Sequence, residues 1–387
     1  MKQILEILQS TLRKRNRYST SIWQPRLISG FIAVAFTGIV SLTPAYASAQ
    51  SLDATETEEF TTAATDGEER TLSSSKLSAE MIDELLEDTA EETEYQITAK
   101  TPPTVSRGAT RAIWLWEDSR ITKTKQRNAF FEFATIQKIN RIYVDGHALL
   151  AVKKKEKTPT AKQRAFARFT NIAASKGMAV ELLYGDKSWT YEKNHKVAVA
   201  FAKQAKKYTA GLKKSDTRPA AMHFDVEPHT LREWRNKEKR QLLGKQYIVL
   251  LSKLKKNKGS LDFNIDYPMA FDTAKIRYDG QTRPLVQWIY AYIDSGTLMD
   301  YRDYAEANGD GIIPHAKLSV KYAREAGKTV TLGVETKCQS PEYVTFCTEG
   351  RAVLNREVRK THDYYASNAG YQGIAVHDYT NWTKLGN

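Results

Sequence analysis

A (β/α)8 barrel is the fold the sequence predicts, and three observations predict it. Eight short apolar segments recur through residues 109–387, most of them separated by an amphipathic stretch of helical period. Strand–helix alternation demands crossover connections, and crossovers build parallel sheets. Several helical stretches end in a glycine just before the next strand (Gly177, Gly259, Gly327, Gly370), as helix C-caps do. Eight such units in roughly 280 residues fit one closed barrel. An open doubly wound sheet is the alternative, but no glycine-rich phosphate loop follows the first strand.

The barrel does not begin at residue 1. Residues 1–49 are read as a secretory signal peptide. A basic segment with Lys2, Arg13, Lys14, Arg15, Arg17 and Arg26 leads into the apolar run Phe31–Leu42 and then a small-residue cleavage site at Ala47-Ser48-Ala49. That run is too short to anchor stably in a bilayer, so a secreted or periplasmic protein is expected, without stable membrane insertion. Residues 50–108 form an acidic, mostly disordered linker, with 15 acidic residues against three basic ones over 50–100. Within it Leu77, Met81, Ile82, Leu85 and Leu86 recur at helical spacing, so residues 78–88 are expected to form a short amphipathic helix.

Charge is distributed unevenly. Of the total of +13, the signal segment contributes six basic residues against one acidic, which leaves residues 101–387 at +20. A domain this basic favours anionic polymers over long range; the other reading is that the acidic linker offsets the charge for solubility. The run Lys153-Lys154-Lys155 is expected to be a solvated loop, as such runs usually are. No nucleic-acid motif is present, and an export signal makes that partner unexpected.

The strands are read at residues 112–116, 141–145, 178–184, 220–227, 261–267, 285–293, 329–335 and 372–379. The helices are read at 126–139, 161–175, 195–208, 231–256, 314–326 and 349–366. The fifth unit is the weak one, because residues 272–283 are too short for a good helix. Only eight residues follow the last strand, Thr380 to Asn387, too few for the helix that should cover strands eight and one. Residues 78–88 either dock there, since an uncovered strand leaves apolar surface in water, or form a mobile helix in the disordered arm, as their acidic flanks suggest.

Chemistry in such a barrel gathers where the strands end. The fourth segment is the centre of the prediction. In Met222-His223-Phe224-Asp225-Val226-Glu227-Pro228, apolar residues alternate with ionisable ones, so a strand turns His223, Asp225 and Glu227 inward. Two carboxylates two residues apart lie roughly 6.5–7 Å from each other at Cα, close enough to couple. His223 is expected to hydrogen-bond Asp225. The other strand ends bring Trp114 and Trp116, Asp145, Asp266, Tyr290 with Tyr292 and Asp294, Glu335, and His377 to the same rim. Aromatic faces and carboxylates together suit sugars, which offer rings to stack on and hydroxyls to bond.

Asp225-Val226-Glu227 resembles the D-x-E of chitinase-type and muramidase-type (β/α)8 glycosidases. That resemblance implies Glu227 as general acid and Asp225 as its helper, orienting an N-acetyl group if the substrate carries one. Tyr290-Ala291-Tyr292-Ile293-Asp294 is similar to the aromatic-plus-Asp strand that faces this pair in chitinases. The chitinase run has further Asp residues where this chain has Ala220 and His223. A second resemblance runs through Glu227-Pro228 and Glu335, which look like the acid/base and nucleophile of retaining cellulase-type barrels, although Val226 stands where those have Asn.

A metal reading uses His223, Asp225, Glu227 and His229 with His377 and Asp378, as in a metal-dependent carbohydrate hydrolase or deacetylase. It is set below the metal-free reading, and no cofactor is expected. Cys338 and Cys347 fall in one loop after strand seven, and export makes a disulfide between them the expected state. The function expected is an exported glycosidase acting on a polysaccharide or oligosaccharide, possibly anionic or N-acetylated. The rival from another class is a non-catalytic polysaccharide-binding protein of the cell envelope.

Overall fold

A computed structural model describes residues 98–147, 159–306 and 309–386. The predicted signal peptide, nearly all of the acidic linker, the segment 78–88 and the run Lys153–Lys155 lie outside them. Eight parallel strands close into a barrel. They are β1 (Thr110–Leu115), β2 (Arg141–Asp145), β3 (Ala179–Tyr184), β4 (Ala221–Phe224), β5 (Asp262–Pro268), β8 (Ser295–Met299), β9 (Thr329–Glu335) and β10 (Tyr371–His377). The numbers skip β6 (Lys275–Tyr278) and β7 (Gln281–Pro284), an antiparallel hairpin between β5 and β8. That hairpin is the weak fifth unit, and Asp279 and Gly280, both at positive φ, make its two-residue turn.

The outer layer holds α1 (Ser119–Thr122), α2 (Thr124–Ile136), α3 (Ala161–Ser175), α4 (His195–Ala210), α5 (Lys237–Asn257), α6 (Leu285–Ile289), α7 (Ile312–Glu325), α8 (Gly350–Tyr365) and α9 (Tyr379–Trp382). Caps mark several starts. Thr160 and Gln163 form a reciprocal capping box on α3, and the Asn236 side chain accepts from the Glu238 and Lys239 amides at 3.0 Å to begin α5. The apolar core lies between sheet and helices. Met222 and Phe224 of β4 point into it, as do Ile142 and Val144 of β2.

One expectation is corrected, while the docking expected of residues 78–88 lies outside the described residues. The sixth strand is Ser295–Met299, and residues 285–289 are helical. Leu285, Val286, Trp288 and Ile289 are buried at i, i+1, i+3 and i+4, a helical stripe that a continuous apolar run disguises as a strand. The seam between the last and first strands is also covered locally. Tyr379, Trp382 and Leu385 are buried there, Trp382 packs edge-on against Phe133 at 5.3 Å, and the Arg111 guanidinium lies over its ring. Trp382 and Leu385, with Tyr379 just before them, fill this seam.

Candidate active site

The barrel interior carries a buried chain of charges. Arg141, at the foot of β2, is hydrogen-bonded to Glu181 on β3. The other oxygen of Glu181 accepts from His223 Nδ1 at 2.9 Å and from Asn264 Nδ2 at 3.0 Å. His223 Nε2 donates to Asp266 Oδ1 at 2.9 Å, and Trp114 Nε1 donates to Asp266 Oδ2 at 3.1 Å. Gly333 on β9 leaves room for that indole, since a Cβ there would lie 3.1 Å from its edge. Tyr143 lies beside His223 at 4.5 Å, its ring tilted by 60°, and bonds Thr297 across the barrel at 3.2 Å.

Both ring nitrogens of His223 face carboxylate oxygens, so both carry protons and the ring is an imidazolium. Burial alone would push its pKa down, but the charges and hydrogen bonds of Asp266 and Glu181 raise it to about 10. Burial likewise disfavours the Glu181 anion, yet Arg141, His223 and Asn264 hold that carboxyl at about 2. The expected bond from His223 to Asp225 is therefore corrected. Asp225 lies just past the end of β4, whereas Glu181 on β3 and Asp266 on β5 reach the two ring nitrogens of His223. A histidine with both nitrogens engaged in this way has no lone pair to offer a metal.

Above this chain the strand ends form the rim. Glu335 ends β9, and its Oε1 accepts from the Thr336 and Lys337 amides at 2.7 Å each. His377 ends β10 and places Nδ1 2.9 Å from Glu335 Oε2, with Nε2 3.0 Å from Trp116 Nε1. Thr336 ties the two strands together by donating its amide and its hydroxyl to the His377 carbonyl, each at 2.7 Å. The Cys338–Cys347 disulfide is formed, and within its loop the Phe346 amide returns to the Glu335 carbonyl at 2.9 Å.

Asp225 and Glu227 lie just past the end of β4, in the turn that Pro228 opens rather than on the strand itself. The Asp225 amide bonds the Tyr184 carbonyl at 2.8 Å. The β3 end passes so close that a Cβ on Gly185 would lie 1.9 Å from the Asp225 carbonyl oxygen, which requires glycine there. The Glu227 carboxylate is 15% exposed, and His229 Nε2 stands 3.7 Å from it. Burial, with help from the charge of Lys187, lowers His229 to about 3, so that contact is not an ion pair.

Two tyrosines that the sequence reading missed belong here. Tyr301 follows β8 directly; burial first, then the charges of Glu335, Asp266, Asp225 and Glu227, raise its phenol well above the ordinary range. Carboxylates from three strands, β4, β5 and β9, thus act on one neutral hydroxyl. Tyr247, on α5, is fully buried, and burial, then Asp225, Asp266 and Glu227, raises its phenol as well. Asp300-Tyr301 could have been found by reading the polar residue after the sixth strand, had that strand been placed correctly. Nothing in the sequence marks Tyr247, an aromatic on a helix among other core residues.

The residues drawn from the misplaced strand leave the rim. Tyr290 bonds Tyr267 hydroxyl to hydroxyl at 2.8 Å inside the core, Tyr292 lies against Lys255, and Asp294 accepts from the Phe263 amide at 2.9 Å near the foot of β5. Asp145 ends β2 as expected but accepts from the amide and Nδ1 of His147, at 3.0 and 2.9 Å.

No family model matches this sequence, and no curated protein matches it. Solved structures of similar layout include a mutant GH18 chitinase from Cycas revoluta in complex with (GlcNAc)4, at 10% identity and a TM-score of 0.41, covering 70% of this chain and 96% of that one. A chitinase from Rhizomucor miehei has 12% identity and a TM-score of 0.41, over 69% of this chain and 93% of that chain. A β-galactosidase from a psychrophilic Marinomonas has 8% identity and a TM-score of 0.44, over 69% of this chain and 53% of its own.

Proposed function

We propose that the protein is an exported glycoside hydrolase in which Glu227 is the general acid, Asp225 its helper and Tyr301 the donor that faces them. The observation that carries this reading is that Asp225 and Glu227 stand together just past the end of β4, and that their charges, with those of Asp266 and Glu335, raise the buried Tyr301 phenol. Trp116, whose indole packs edge-on against His377 at 5.6 Å, is the aromatic proposed to wall the site for a sugar ring. Asp266 is engaged at both oxygens by His223 and Trp114, which supports a supporting role for it rather than attack on substrate. Glu335 is held by two amides and an imidazole, which supports orientation of His377 over the nucleophile role of the cellulase-type reading. The substrate class is an oligosaccharide or polysaccharide, and the charge of +20 on residues 101–387 favours an anionic one.

Glu227→Gln tests the assignment. The amide keeps the shape of the acid but cannot donate its proton, so hydrolysis should fall by about 10²–10⁴-fold while binding persists. The protein is incubated with acidic exopolysaccharides, peptidoglycan and chitin fragments, and new reducing ends are counted. A variant retaining more than about a tenth of the wild-type rate removes Glu227 from the role. Binding by wild type with no new reducing ends on any of them would favour the non-catalytic envelope protein.

A further inference from the structure

Trp116, His377 and Glu335 form a bonded series whose protons follow from counting donors and acceptors. An indole N–H can only donate. Its 3.0 Å contact with His377 Nε2 therefore needs a bare lone pair on that nitrogen. The single ring proton must then sit on Nδ1, which faces the two oxygens of Glu335 at 3.1 and 2.9 Å. A second proton on the imidazole would have to go to Nε2, directly against the indole N–H.

The surrounding charges pull the other way. Burial disfavours a charged ring at this position, but the charge and hydrogen bonds of Glu335, with the charges of Asp378 and Asp266 behind them, raise His377 to about 9. Its remaining neighbours are aromatic: Trp114 at 5.4 Å, Trp116 at 5.6 Å and Tyr301 at 6.3 Å between ring centroids. Two demands meet on one nitrogen. The carboxylates of β9 and β5 and of the adjacent Asp378 invite a proton, and the indole that follows β1 excludes it.

The geometry points to His377 as a positioning residue whose protonation state sets the Trp116 indole. Neutral, with its proton on Nδ1, it holds the indole against the rim; doubly protonated, it releases the ring. Glu335 selects the tautomer, and the Thr336 and Lys337 amides, just before the disulfide-closed loop, keep the carboxylate in place. The relay stands on this hydrogen bonding alone. Its use in presenting a stacking wall to a sugar rests on the glycosidase reading proposed above.

Imidazole ¹⁵N resonances of the full-length protein, followed through pH, test it, with His377→Gln identifying the signal. Wild type should show the Nδ1–H tautomer on the alkaline side of its titration. Trp116→Phe removes the donor that opposes the second proton, so the His377 midpoint should move up by about one unit or more. Glu335→Gln removes the anion that favours it, so the midpoint should move down. Opposite shifts support the relay; a Trp116→Phe midpoint that stays put or falls, or a Glu335→Gln midpoint that stays put or rises, overturns it. With a cleaved substrate in hand, KM of wild type should rise as pH falls through the His377 midpoint, and KM of Trp116→Phe should not follow it. Parallel KM profiles would overturn the positioning role. If no glycan is cleaved, the glycosidase reading fails by itself, and the two midpoint shifts still decide the relay.

Discussion

Replacing His223 with glutamine should cost stability in a way that depends on pH, and the structure sets both the size and the sign. His223 is fully buried between Glu181 and Asp266, and its folded pKa of about 10 lies above the 6.5 of a free histidine. A raised pKa means the native state holds the proton more tightly. The stabilisation is thus complete below about pH 6.5 and is lost as pH rises toward 10. Linkage over that interval gives about 4–5 kcal/mol at pH 6, of which about 3 kcal/mol is gone by pH 9. Glu181, held at about 2, describes the acid side of the same contacts: its contribution is present above about 4.5 and is lost as pH falls through 2. The two views are not additive, because they share one hydrogen bond. Breaking a buried ionic pair by removing one partner costs about 3–5 kcal/mol, in agreement with the linkage figure. Urea denaturation of wild type and His223→Gln at pH 6 and pH 9 reads the effect. The gap between the two proteins should be several kcal/mol at pH 6 and should shrink by about 3 kcal/mol at pH 9. Taking the difference cancels other groups that titrate in the window, such as Asp272, which burial raises to about 8. A gap below about 1 kcal/mol at pH 6, or one that does not narrow, would refute the imidazolium assignment.

Three further outcomes test the rim. Tyr301→Phe should lower kcat on the order of 10²-fold with folding unchanged, as loss of one preorganised donor does, and full activity would remove it from the site. Glu335→Ala should lose activity that azide does not restore; rescue by azide would return Glu335 to the nucleophile role of a retaining enzyme. Cys338→Ser opens the loop behind Glu335 and should cost about 2–3 kcal/mol in thermal stability, whereas free thiols in native protein would contradict the disulfide altogether.

Most of the fold was legible because the barrel writes itself in periodicity. Helix α3 was read at residues 161–175, its observed bounds, since a capping box and an apolar stripe specify the same segment. β9 was read at 329–335 for the comparable reason that Gly327 punctuates the chain just before it. The error at residues 285–293 came from a stretch where both periods fit. Leu-Val-Gln-Trp-Ile is too short to show more than one helical turn, and the hairpin before it removed the usual helix-then-strand rhythm. That one slip displaced Tyr290, Tyr292 and Asp294 onto the rim and kept Tyr301 off it.

The charge chain was illegible for a different reason. Along β4, His223 and Asp225 are two residues apart, so sequence spacing pairs them, but that separation is roughly 6.5–7 Å. Across neighbouring strands of the closed barrel, side chains are brought within hydrogen-bonding reach whatever their distance in sequence: Glu181 is 42 positions from His223, and Asp266 is 43. Inside a barrel the cross-strand contact therefore wins over the along-strand one, and register, not spacing, decides which acid meets which base. The β3–β4–β5 register sets Leu183 beside His223 and Asn264 beside it on the far side. Glu181 and Asp266, each two residues away from those partners, then reach the imidazole from below and above. A single-residue slip of β4 would turn Met222 and Phe224 inward and break both bonds of His223. The apolar alternation that the sequence displays and the ionic partnership that it hides are thus two faces of the same register.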